Sequence, residues 1–152
     1  MPEFRADAEF DCEPGVIFDF LIRPANVVRL SPPDVQVRLI EGPPVVQLGS
    51  KVTIEARNFG LRQRFSVQII EWEENELLTD EQIEGPFRFY RHSRRLEHRP
   101  GGSRLVEVVE FSPPGGMLGM LLSAERLQRY LAELHEHRVS AMRGLLGASG
   151  SE

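Results

Sequence analysis

The sequence predicts an α+β fold: a curved, seven-stranded antiparallel sheet wrapped around a long C-terminal helix, with two short helices between strands one and two. Three observations carry this prediction. The chain opens on strict two-residue alternation, its middle is a run of strand-like segments joined by short turns, and its last part changes to a leucine stripe with steps of three and four.

The opening alternation sets Phe4, Ala6, Ala8, Phe10 and Cys12 against Glu3, Arg5, Asp7, Glu9 and Asp11, the pattern of a half-buried strand. Pro14 suits the first turn of a helix, and Val16, Ile17, Phe20 and Leu21 keep helical spacing until Pro24 intervenes. A second short helix is expected from Ala25 to Leu30. The pairs Pro32-Pro33, Pro43-Pro44 and Pro113-Pro114 belong in connections, because proline cannot donate to a sheet ladder.

Between those connections lie the strands. Val35, Val37 and Leu39 mark one, Val52, Ile54 and Ala56 the next, and Phe65, Val67 and Ile69 a third that carries a bulge before Trp72. Asn58 to Gly60 reads as the turn between the latter two. Further strands are expected from Glu76 to Glu84, from Phe87 to Glu97 and from Arg104 to Phe111, with Pro100-Gly101-Gly102 turning the final pair. Such short connections make a meander, since parallel neighbours need a crossover between them.

From Met117 to Leu146, residues Leu118, Leu121, Leu122, Leu127, Leu131, Leu134, Met142 and Leu145 recur at helical steps. This predicts one long helix, irregular near Gly119, supported on its solvent side by Glu125 and Arg129 at i,i+4 and capped by Gly147. A sheet of this length must bury one face, and only this helix is large enough to cover it.

Composition narrows the classes of function. A chain of 152 residues with 41% hydrophobic and 27% charged residues fits one globular domain, assigned to 1–147 with a frayed tail at 148–152. A formal charge of -5 argues against nucleic acid. No stretch reaches transmembrane length and the charged N-terminus lacks a signal-peptide core, so no membrane insertion and a cytoplasmic location are expected. Cys12 is the lone cysteine, which excludes an internal disulfide; its acidic surroundings disfavour the thiolate.

The run Gly85-Pro86-Phe87-Arg88-Phe89-Tyr90-Arg91-His92-Ser93-Arg94-Arg95-Leu96-Glu97, followed by Pro100-Gly101-Gly102-Ser103 and then Leu105, Glu107, Val109 and Phe111, resembles bacterial SRPBCC proteins of the START/polyketide-cyclase-like (Bet v 1-like) superfamily. Their sixth strand reads Gly-Pro-Phe, aromatic, His, and their last helix follows a Leu-Gly segment, here Met117-Leu118-Gly119. The resemblance covers nearly the whole chain. It implies a helix-grip fold with an internal cavity for a small hydrophobic or amphipathic molecule, in a superfamily that also includes enzymes.

On the sixth strand Tyr90, His92, Arg94 and Leu96 share a face. If the hairpin pairs Leu96 with Leu105, then Arg94 lies opposite Glu107 and His92 opposite Val109. A partly buried Arg94–Glu107 ion pair follows, either structural or, with His92 and Tyr90, ready to orient a ligand or move a proton. The cavity is expected to be lined by Phe65, Tyr90, His92, Arg94, Glu107, Val109 and Phe111 from the strands and by Leu134 and Met142 from the helix. Loops after the second strand and before the last helix would form its mouth.

No cofactor or metal is expected. His135 and His137 diverge by about 200° around the helix and read as surface residues, and no His-Glu-x-x-His or Cys-x-x-Cys spacing occurs. Walker, dinucleotide and Gly-x-Ser-x-Gly motifs are likewise missing from the sequence. Arg57, Arg62 and Arg64, and Arg88, Arg91, Arg94 and Arg95 of the sixth strand, read either as a basic patch for an anionic lipid or substrate or, more economically, as a solvated face interleaved with acidic residues.

The leading expectation is binding of a small hydrophobic ligand by a monomer or homodimer. The alternatives are a cyclase, aromatase or dehydratase-type enzyme in which His92, Tyr90 or Glu107 transfers protons, and a protein-interaction module.

Overall fold

The computed structural model describes residues 2–58 and 61–146. In chain order its elements are β1 (Glu3–Phe10), α1 (Pro14–Leu21), α2 (Pro24–Val28), β2 (Arg38–Glu41), β3 (Lys51–Asn58), β4 (Leu61–Glu73), β5 (Leu77–Glu84), β6 (Phe89–Arg99), β7 (Gly102–Ser112), α3 (Gly116–Leu121) and α4 (Ala124–Leu146). The strands form one antiparallel sheet in the order β1-β7-β6-β5-β4-β3-β2. The meander therefore runs from β2 to β7, and β1 joins its far side.

Each strand shows its inner face to the core because alternate side chains project the same way. The β6–β7 register pairs Leu96 with Leu105, Arg94 with Glu107 and His92 with Val109, as the hairpin argument requires. Gly101 turns this hairpin at φ +83, a left-handed conformation that a side chain would strain. The bulge expected on β4 falls between Ile69 and Glu71.

Two expectations change. The strand anticipated from Val35 begins only at Arg38, because Gln36 sits at φ +53 and breaks the extended run. Val35 is buried all the same, its carbonyl accepting from the Arg57 N–H at 2.8 Å. The single long helix is two, since Ser123 caps a new one: its Oγ accepts from the Arg126 N–H (3.2 Å), and its carbonyl takes the first helical bond from Leu127 (3.0 Å). Gly119 in α3 passes so close to the Pro114 carbonyl that a Cβ would collide with it. The turn at residues 59 and 60, the Gly147 cap and the tail lie outside the described residues.

Helix α4 lies along β1, the edge strand, and covers its outward carbonyls. Gln128 Nε2 donates to the Glu3 carbonyl (2.7 Å) and Arg143 Nη2 to the Glu9 carbonyl (2.6 Å). These two bonds occupy acceptors that an incoming strand would need.

The core is in two parts. One cluster gathers α1 and α2 with the hairpin end of the sheet, including Ile17, Phe18, Leu30, Leu96, Leu105, Val139 and Met142. The other holds Val109, Phe111, Leu122, Leu127 and Leu131. Val139 belongs to the helix face although the leucine stripe omits it, whereas Leu145, counted on that stripe, is 45% exposed. No helix among the described residues is long and apolar enough to cross a membrane.

Candidate functional site

Three elements read apolar, polar, apolar as they cross the molecule. On β7 the sequence of inward residues is Leu105, Glu107, Val109; on β6 it is Leu96, Arg94 and His92, Tyr90; on α4 it is Val139, then Arg138 and His135, then Leu131. Their polar positions fall at one level and form a layer between the two clusters. Beside this layer, between sheet and helix, lies a cavity of about 220 Å³.

Most of the cavity wall is stiff and apolar. Val27 and Val28 of α2, Val46 of the β2–β3 loop, Val52 and Ile54 of β3, Phe65, Val67 and Ile69 of β4, and Leu127, Leu131 and Leu134 of α4 supply it. The β-branched side chains have few rotamers, so this wall holds its shape at little entropic cost. The polar layer contributes Asp80, Tyr90, His92, Arg94 and Arg138 to the opposite wall.

Within the layer the groups are chained. Arg94 Nη2 donates to Asp80 Oδ2 at 2.7 Å and to His92 Nδ1 at 3.2 Å; His92 Nε2 meets Glu107 Oε1 at 2.8 Å; and Glu107 Oε2 faces His135 Nδ1 at 3.5 Å. Burial by itself would raise the Glu107 carboxyl, but His135 and His92 outweigh it and hold its pKa well below 4.5. Burial pushes His92 down, and Arg94 adds to that push, so its imidazole is neutral at pH 7. Against an ionised Glu107 the shared proton belongs to His92 Nε2, which leaves Nδ1 as the acceptor for Arg94.

The other titrations follow from position. Glu107 raises His135 above 6.5, in opposition to partial burial, and Asp80 keeps Arg94 charged although burial works against it. Burial pushes the Tyr90 hydroxyl up to about 12, so it carries its proton throughout the ordinary pH range.

No family model matches the sequence, and no curated protein matches it. Solved structures do. A protein from Arthrobacter aurescens superposes with a TM-score of 0.72 at 15% identity, over 97% of this chain and 87% of that one. The protein Ara h 8.0201 gives 0.61 at 16% identity over 92% and 97%, and the major latex-like protein 151 of Panax ginseng 0.57 at 14% over 84% and 95%. The fold is the Bet v 1-like helix grip. At these identities the likeness is one of fold.

In this Bet v 1-like frame the residues singled out from the sequence divide. Phe65, Tyr90, His92, Arg94 and Leu134 line the cavity. Glu107 lies behind that wall, bound to His92. Val109, Phe111 and Met142, read from the sequence as lining residues, are instead core: they are 3%, 0% and 2% exposed and packed into the two clusters. The expected Arg94–Glu107 pair is replaced by two others, because Asp80 on β5 reaches Arg94 from the next strand and leaves Glu107 to the histidines.

His135, read as a surface residue, is partly buried and faces Glu107, with 11% of its side chain exposed. Asp80 and Arg138 were not singled out, although signals existed. Asp80 follows Leu77, Leu78 and Thr79 in a buried run, and Arg138 continues the Leu127, Leu131, Leu134 stripe by one more step of four. Cys12 behaves as its sequence suggests, burial and the flanking Asp11 and Glu13 raising its thiol. On the outer face Arg91 joins Glu81 (3.0 Å) and Glu110 (3.9 Å), the interleaving anticipated for the arginine-rich strands.

Proposed function

We propose that this chain binds a small, largely apolar molecule in the cavity between sheet and α4, without transforming it. The observation that carries this reading is the cavity itself, a space of about 220 Å³ between sheet and helix with most of its wall made of aliphatic and aromatic side chains. Interiors are close-packed as a rule, and a kept void loses the contacts that would fill it. A ligand restores them. For scale, an engineered apolar cavity of about 150 Å³ takes up benzene.

Binding is favoured over proton-transfer catalysis by the state of the polar layer. His92 has one ring nitrogen engaged by Glu107 and the other by Arg94, and Asp80 is bound to Arg94. A general base needs a free nitrogen or oxygen within reach of substrate; both ring nitrogens of His92 are engaged, and Asp80 is tied to the Arg94 guanidinium.

Two measurements test the reading. Native mass spectrometry of the purified protein should show a co-purified or added small apolar molecule at one per chain, and a thermal-shift screen should find concentration-dependent stabilisation. The Val52→Phe variant, which fills the cavity from β3, should remain folded and lose that response. An unchanged response in the filled variant would sink the proposal.

A further inference from the structure

We propose that the cavity's ligand carries a carboxylate on its apolar body and that Arg138 holds it; this rests on the binding function proposed above. The apolar residues fix the body, and the charges of the polar layer fix the head.

Two carboxylates and two guanidinium groups lie in the layer, but only Asp80 and Arg94 touch; the Arg138 charge reaches Glu107 through space and helps to hold its carboxyl down, with no ion pair joining the two. Asp80 is committed to Arg94 at 2.7 Å. Glu107 is committed to His92 at 2.8 Å and to His135 at 3.5 Å. That leaves Arg138, which lines the cavity, enters none of the ion pairs formed among the described residues, and keeps a buried Nε with no hydrogen-bond partner. A buried donor without an acceptor is costly, and a guanidinium is the side chain best suited to a planar, two-oxygen partner.

The geometry thus presents a cationic fork on a wall where the other charges, Asp80 and Arg94, are already joined to each other. A neutral apolar ligand would leave the Arg138 Nε without an acceptor, and a cationic one would be repelled by the guanidinium. A carboxylate supplies two acceptors. Tyr90, close enough to Arg94 and Arg138 to feel both charges, lines the same wall with a hydroxyl that stays protonated and can donate to the same head. Arg94 adds little, because Asp80 already neutralises it.

The cavity volume sets the body. At about 220 Å³ it exceeds the benzene-sized void by roughly half, which suits a single ring with a short chain or a medium aliphatic chain.

Calorimetric titration with two matched pairs tests this: 4-phenylbutyrate against 4-phenylbutan-1-ol, and octanoate against octan-1-ol, at constant pH and ionic strength. The acids should bind the native protein at least tenfold more tightly than their alcohols. In Arg138→Met, which keeps an unbranched apolar stem without the charge, acid affinity should fall to that of the alcohol while alcohol affinity holds. Arg138→Lys should keep part of the preference.

Equal affinity for acid and alcohol in the native protein would overturn the carboxylate assignment and leave the apolar cavity reading standing. An acid preference that survives in Arg138→Met would overturn Arg138 as its anchor. Failure of all four probes to bind would overturn the cavity reading and this inference with it. The native-protein comparison needs no variant, so it decides the carboxylate assignment even if Arg138→Met does not fold, and an undiminished acid preference in Arg138→Lys would then overturn the guanidinium anchor.

Discussion

The polar layer and the apolar clusters on either side of it are built from the same three elements, yet they answer to different physics. In the clusters any side chain of suitable size contributes, because burial of apolar area has no direction. In the layer each group depends on a named partner, since an unpaired buried charge costs more than the pair contributes. One part of the interior is therefore tolerant and the other is brittle, and the cavity lies where they meet.

The sharpest test of that contrast is Glu107→Ala. It removes the single acceptor serving both His92 and His135, and the loss should be about 3–5 kcal/mol in urea unfolding at pH 7, the range for breaking a buried pair. A loss below that of an ordinary leucine truncation would show that the layer is not brittle.

A second comparison stays within the apolar residues of α4. Met142→Ala removes a fully packed side chain and should cost about 3 kcal/mol, whereas Leu134→Ala, whose side chain faces the cavity and has fewer contacts to lose, should cost about 2 kcal/mol. Equal losses, measured by the same unfolding method, would mean that the cavity does not relax its wall.

The smallest expected effect is on pH dependence. The folded pKa of His135 is above 6.5, so its contribution is fully present below 6.5 and is lost as pH rises through that higher value. The folded pKa of His92 is below 6.5, so its contribution is present above 6.5 and is lost as pH falls through the lower value. Glu107 adds a further loss in stronger acid, as pH falls below 4.5 toward its depressed pKa. Stability should peak near pH 6.5. His135→Gln should flatten the alkaline side of that peak and His92→Gln the first part of the acid side, both read from melting temperatures across pH 4–9.

Much of the fold is legible in the sequence, and much less of the site. The β6–β7 register can be read because a glycine-containing turn fixes it and Leu96 and Leu105 must both face inward. Tyr90, His92 and Arg94 then fall on one face by alternation alone. Their partners do not. Asp80 comes from a neighbouring strand and His135 and Arg138 from a helix more than forty residues along the chain, and no local period relates them to β6.

The sequence by itself determined the sheet, the inward face of each strand and the presence of a covering helix. These follow from side-chain periods of two and about 3.6 and from proline and glycine at the turns, all of which act over a few residues. Tertiary structure alone decided that Arg94 pairs with Asp80 and not with Glu107, that Met142, Val109 and Phe111 fill the core while Leu134 faces the cavity, and that Arg138 keeps a buried Nε without an acceptor. Charges pair by distance in space, and voids form where elements far apart in the chain fail to meet.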